Sequence, residues 1–245
     1  MTKTRKPKTK SVLAWHFLPN DGRTRYSNEQ VTVGSTLKVR GPIIPCVWGL
    51  HASKRLSDAM FYAPGHLLCR VRLWGSIRWD QPESDKLVAR NRKVLAMADV
   101  TEVLKDFLVE TLIETGHKLE NRGDHLNHRT WACIYMLRDY RRGVDVALEQ
   151  WEAEYNMCTS FNDALSDSGA LRPAFRAVRG PKYPILRYDA LAVSDTSSTL
   201  YRVATALSGE QTSEAWGREG NRLNAKLEKR VLAYLKTHGK GQTHA

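Results

Sequence analysis

Val47–Tyr62 reads VWGLHASKRLSDAMFY, and the fold turns on how that stretch is read. Gly49 stands where a backbone must approach a neighbour closely. His51 is followed by two small residues, and Ser53 is placed to cap the short helix expected from about Lys54 to Tyr62. Pro64-Gly65 closes that helix. Two readings fit these residues: an ordinary strand-to-helix corner, or the floor of a dinucleotide pocket.

Working outward, the flanks are β-rich. VLAWHFL (Val12–Leu18) is apolar and aromatic and stops at the turn Pro19-Asn20-Asp21-Gly22. QVTVGSTLKV reads as a second strand with Gly34-Ser35 as its turn. HLLCRVRLWGSIRW (His66–Trp79) alternates apolar with basic residues from Leu68 to Leu73, the period of a strand with one wet, positive face. QPESD is a loop, and KLVARNRKVLAM reads as one further strand.

The pattern changes at Asp99. Asp99-x-x-Glu102 has the form of a capping box, and Val100, Val103, Leu104, Phe107, Leu108 and Leu112 follow at helical spacing, with Gly116 able to close the helix. Helices are expected over Arg129–Arg141 and Val144–Tyr155, separated by Gly143, then near Ser197–Leu207 after an irregular Pro/Gly/Ser-rich region. A last helix over Thr212–Leu235 sets Leu223, Leu227, Val231 and Leu235 on one stripe. Core packing of that stripe and homo-oligomer formation through it are both open. The fold class is therefore α+β: a basic arm over 1–11, a β-rich domain over 12–110 and a mainly helical region over 111–245.

Charge is the clearest global signal. The formal net charge is +12 in a chain of 245 residues, which draws it toward polyanions, nucleic acid first among them, DNA or RNA alike. Lys3, Arg5, Lys6, Lys8 and Lys10 come without an acid among them, as in an arm that tracks phosphates. Arg138, Arg141 and Arg142 in YMLRDYRRG could grip phosphate while Tyr140 stacks a base, or simply end a helix. ALRPAFRAVRGPKYPILRY (Ala170–Tyr188) reads as a binding loop or as a linker packed over the helices. No apolar run approaches the roughly 20 residues of a membrane helix, and the basic N-terminus lacks the apolar core of a secretory signal. A soluble protein of the (host) cytoplasm is the expectation. Cys46, Cys69, Cys133 and Cys158 are too widely spaced for a zinc site and read as buried thiols. His117, Glu120, Asp124, His125 and His128 fit no standard metal spacing and read as a solvated loop.

The run WHFL…GLHAS…DAMFYAPGHLLCRVRLWG…SDKLVARNRKVL, over roughly Ala14–Val100, resembles a domain of uncharacterised phage and bacterial proteins with a G-[LF]-H-[AF]-[SC] signature. The same order of parts resembles, more weakly, ADP-ribosyltransferases of the poly(ADP-ribose) polymerase type. That resemblance implies an ADP-ribosyltransferase-like N-terminal domain in which His16 positions a ribose, Tyr62 stacks on nicotinamide and Asp85 stands where the family has its Glu. Gly49, His51 and Ser53 would then line an NAD site. Here the early His lacks its following Gly, and Asp85 is one methylene shorter than Glu. Two functions are thus expected. One is a basic phage or mobile-element accessory protein that contacts nucleic acid on such a domain, with catalysis not established. The other is an NAD-dependent ADP-ribosyltransferase acting on nucleic acid or a host protein.

Overall fold

The computed structural model describes residues 10–79, 85–158, 163–179, 189–208 and 213–239. Two antiparallel sheets carry the first hundred residues. The larger, in order β1 (Ser11–Leu18), β4 (Leu67–Trp74), β7 (Asn91–Asp99), β2 (Thr36–Lys38), is built around the strand whose apolar/basic alternation the sequence displays. The smaller runs β3 (Leu50–Ala52), β6 (Leu87–Ala89), β5 (Arg78–Trp79). A single bridge, Trp15 to Ser53, with mutual backbone bonds of 2.7 and 2.9 Å, stitches β1 to β3. Between the sheets lies an apolar cluster that includes Ala14, Leu18, Cys69, Val71, Leu73, Leu87, Ala89 and Val94.

KLVARNRKVLAM is two strands in different sheets, not one. The chain changes sheets at Arg90, whose N–H donates to Gly75 O at 2.8 Å and whose carbonyl accepts from Val39 N at 3.0 Å. One partner lies in the turn at Gly75 (φ +74°) and the other just after β2, so the break depends on residues remote in sequence. QVTVGSTLKV contributes only Thr36–Lys38 to the sheet.

The far face of the large sheet is covered at one end by helices. α1 (Leu56–Met60) is the short helix of the corner, ending two residues before Tyr62. Ser53 does not cap it. The N–H groups of Leu56 and Ser57 donate instead to Glu228 Oε1 (2.9 Å) and Asn224 Oδ1 (2.9 Å) on α8 (Ser213–His238). Glu228 Oε1 also accepts from Trp15 Nε1 at 3.1 Å and Asn224 Nδ2 at 3.0 Å. Trp15, Phe17, Leu56, Met60, Leu68 and Phe107 pack there with Leu200, Leu227, Val231 and Leu235, a cluster shared by the sheet and the last two helices. The Leu223/Leu227/Val231/Leu235 stripe is buried within the chain. At about 1.5–3 kcal/mol per side chain this burial anchors α8, and the stripe is not offered to a second copy.

α2 (Thr101–Asn121) starts under Asp99, whose Oδ1 accepts from Thr101 N at 2.8 Å. The reciprocal half of the capping box is missing, because Glu102 turns outward to Lys105 and Arg141. Gly116 does not end the helix. Its bare Cα lets Trp131 of α3 (His128–Arg141) close in, and a Cβ there would lie 2.6 Å from the indole. The turn falls at Gly123, φ +91°. α4 (Leu148–Met157), α5 (Ala164–Asp167), α6 (Leu171–Arg179) and α7 (Asp189–Ser208) complete the helical layer. α6 replaces the loop expected from Ala170, with Leu171, Ala174, Phe175 and Val178 fully buried. Pro173 is tolerated because it lies in the first turn, where N–H groups lack helical partners. The continuation to Tyr188 lies outside the described residues. Asp163 ties α3 to α5 by accepting from Asn127 N, Thr130 Oγ1, Leu165 N and Ser166 N. No helix among the described residues is long and apolar enough to cross a membrane.

Candidate functional site

Two places carry chemistry. The first is the corner itself. Tyr62 Oη donates to Asp85 Oδ2 at 2.5 Å, so two of the three residues expected to form a catalytic set meet directly. Burial, and then the Asp85 carboxylate with the nearby Cys46 and Asp58, hold the Tyr62 hydroxyl well above its ordinary pKa. It stays a donor at any ordinary pH. One face of the Tyr62 ring is covered by Lys86 Nζ, 3.9 Å from its centroid. The same ammonium reaches Cys46 Sγ at 3.7 Å. Cys46 is exposed and held at φ +59°, unlike the three buried thiols. Its backbone N–H donates to His51 Nε2 at 3.1 Å.

His16 points from β1 into the space between the sheets. It keeps some exposed surface, yet surrounding atoms crowd its ring, and burial first, then the positive charge of Arg92 and His51, push its pKa well below the usual 6.5. Both influences favour the neutral imidazole. His16 thus shares a neighbourhood with His51, while no direct contact joins it to Tyr62. Gly49 (φ +138°) packs against β6 rather than opening a cleft, since a Cβ there would lie 2.2 Å from Val88 Cγ2. Ser53 is buried, with both backbone groups engaged by Trp15. Sequence reading missed Lys86, Cys46 and Arg92. For Arg92 a signal existed: it shares the inward parity of Val94 in β7.

The depressed His16 pKa sets a pH dependence. Below 6.5 the unfolded chain binds a proton that the folded chain refuses, so stability falls as pH drops through that value. His16→Leu should flatten the loss between about pH 7.5 and about pH 5.5, read by urea unfolding at several pH values. An unchanged slope would show that another group carries it.

The second place is the uncovered end of the large sheet. Cross-strand register puts Leu13, Arg72, Lys93 and Thr36 in one row, and Ser11, Trp74, Asn91 and Lys38 in the next, all on one face. The helices cover this face only over the Trp15 end. Arg72, Lys93 and Lys38 are exposed and Leu13 is 47% exposed. The sole acid in these four strands, Asp99, sits at the far end beside His66. Exposed Lys10 leads straight into this face. Lys3, Arg5, Lys6 and Lys8 lie outside the described residues.

The α3 end behaves differently. Arg141 is consumed by Asp106 (2.9 and 2.7 Å) and Glu102 (2.6 Å), a tie between α3 and α2 rather than a phosphate grip. Arg138 pairs with Asp139 at 2.8 Å and stacks over Tyr135. Arg142 is exposed. Tyr140 is turned inward against Trp151, 5.0 Å between centroids. His117, Glu120 and His128 do not form a solvated loop. They line a groove of about 490 Å3 with Trp131 and Tyr135, in which Trp131 Nε1 donates to Glu120. Among the described residues no three His, Cys, Asp or Glu side chains gather as metal ligands. Compared with protein-family models, curated proteins and solved structures, the chain finds no match.

Proposed function

We propose that the chain contacts nucleic acid through the open end of its large sheet, as a basic phage or mobile-element accessory protein on an ADP-ribosyltransferase-like domain. One observation carries this reading: three exposed cations in two adjacent cross-strand rows, with Trp74 and Leu13 in the same rows and no acid in either row. Spaced cations attract a phosphate backbone, and apolar and aromatic groups among them receive unstacked bases. The basic arm immediately precedes β1, an edge strand of the same sheet, in sequence, and its cations would extend the track. Acids elsewhere are drawn into ion pairs within the fold, among them Glu102, Asp106, Glu110 and Glu114, so they do little to screen the exposed cations. The test is binding of a fluorescent single-stranded oligonucleotide across a salt series, for the whole chain and for one lacking residues 1–10. Affinity should fall steeply with salt, and the shortened chain should show a shallower slope. Binding indifferent to salt would end the proposal.

A second reading, NAD-dependent ADP-ribosyl transfer, draws support from the Tyr62–Asp85 contact alone. An acid beside an aromatic ring can hold a developing ribosyl cation while the ring stacks on the leaving nicotinamide. Against it stands Lys86, whose ammonium occupies a face of that ring and would repel a cationic nicotinamide. Titration with NAD, followed by mass spectrometry with nucleic acid and lysate present, decides. This reading expects binding that is lost in Tyr62→Ala and a mass gain of one ADP-ribose. Failure of both removes it and leaves the nucleic-acid proposal standing.

A further inference from the structure

We infer that the groove between α2 and α3 binds a guanine base, carried by a free nucleotide or unpaired in a nucleic acid. Two helices build it. His117 and Glu120 come from the C-terminal end of α2, and His128, Trp131, Ala132 and Tyr135 from one face of α3. Its volume, about 490 Å3, falls within the roughly 300–1,000 Å3 of small-molecule sites. One wall is aromatic. The Trp131 and Tyr135 rings lie 5.3 Å apart between centroids at an angle of 23°, and the His117 ring lies 4.8 Å from Trp131. Ala132 is exposed and places only a methyl between His128 and Tyr135, which leaves space beside the rings. Glu120 is held from one side: its Oε1 accepts from Trp131 Nε1 at 2.7 Å, and its side chain makes no other hydrogen bond or ion pair with a described residue. The ring nitrogens of His117 and His128 make no hydrogen bond among the described residues.

A half-buried carboxylate beside aromatic rings calls for N–H donors on a flat ligand. An organic cation fits poorly, because the Arg138 guanidinium already lies over Tyr135, 4.5 Å from its centroid, and would repel it. The lining side chains do not gather as a metal-ligand set. Among the nucleobases, only guanine turns two adjacent N–H donors toward a carboxylate, from N1 and N2. Adenine and cytosine set a ring acceptor beside their amino group, and the N–H of uracil stands between two carbonyls. Guanine also carries the acceptors O6 and N7, which a ring N–H of His117 or His128 can meet at the rim. Its purine plane gains by stacking on the aromatic wall. This groove lies on two helices and the cation rows on the large sheet, so the inference stands apart from the sheet-end reading.

The experiment is calorimetric titration of the whole chain with the monophosphates of guanosine, adenosine, cytidine and uridine. All four carry the same phosphate, so a preference belongs to the base. The guanosine nucleotide should bind one equivalent, about tenfold or more tighter than the adenosine one. Glu120→Gln keeps an oxygen for Trp131 but turns an amide N–H toward the donors of the base, and should bring the two within about twofold. Ala132→Met adds a good helix former at an exposed position. It should fill the groove and weaken the guanosine nucleotide about tenfold or more, with the melting temperature unchanged, and it serves if Glu120→Gln does not fold. Arg72→Gln/Lys93→Gln/Lys38→Gln should bind the nucleotide as the wild type does. Two single-stranded oligonucleotides alike except for one central guanine or adenine tell the sources apart. A preference for the guanine strand, lost in Glu120→Gln, identifies an unpaired base of a nucleic acid. No preference between the strands, with the guanosine nucleotide still favoured, identifies a free nucleotide. The inference is overturned if the guanosine nucleotide binds no better than the adenosine one, or binds Glu120→Gln and Ala132→Met as it binds the wild type. It is equally overturned if binding is lost only in the surface triple variant.

Discussion

Glu228→Ala should destabilise the protein by about 3–5 kcal/mol, the largest effect expected of any single substitution considered. One oxygen of that side chain takes three donors: the Trp15 indole N–H, the Leu56 N–H and the Asn224 amide. Trp15 and Leu56 are fully buried, so water cannot take the place of the lost carboxylate without opening the core. Arg70 loses as well. Its guanidinium lies 4.1 Å from the Trp15 ring centroid, its NH1 is already buried without a partner, and the Glu228 charge supports it. Glu228→Gln keeps an acceptor oxygen and should cost less than half as much, about 1–2 kcal/mol. Urea unfolding of the two variants measures the difference. Equal losses would assign the effect to charge rather than to the hydrogen bonds.

The second large effect concerns binding. Arg72→Gln/Lys93→Gln/Lys38→Gln should lower affinity for a single-stranded oligonucleotide on the order of 10- to 100-fold at low salt. The slope of log affinity against log salt should shrink by about 2–3, because each lost phosphate contact removes about 0.7–0.9. Stability should hardly change, since all three side chains are exposed. Trp74→Ala separates the two components: it should weaken binding with the salt slope unchanged, as loss of a stacking surface does. A triple variant that binds like the wild type would move the interface elsewhere, with Arg142 the next exposed cation to test.

Legibility followed the range of the interaction that fixes each feature. β1, its closing turn and the Leu223/Leu227/Val231/Leu235 stripe were readable because period and turn chemistry are local. α6 was hidden by Pro173 and three arginines, although Leu171, Ala174, Phe175 and Val178 stand at helical spacing. The split of KLVARNRKVLAM was not readable, because Gly75 and Val39 hold Arg90 from other parts of the chain. At the corner, sequence brought Tyr62 and Asp85 into one list and the fold put them in contact. The Lys86 ammonium on the ring and the sparse partners of Arg92 are properties of packing that no spacing announces.

The position of Glu228 near the end of the chain has a consequence for biosynthesis. Trp15 and Glu228 are 213 residues apart. At about 5–20 residues per second, roughly 10–40 s separate their appearance on the ribosome. For that interval the sheet exists without its lid, with Trp15, Phe17 and Leu68 lacking the helix that buries them, and α1 lacking the oxygens that start it. The nascent chain must wait in a partly assembled form, and it is then that chaperones would find their substrate. Truncations that end before α8 should therefore yield aggregating polypeptide rather than a smaller folded unit.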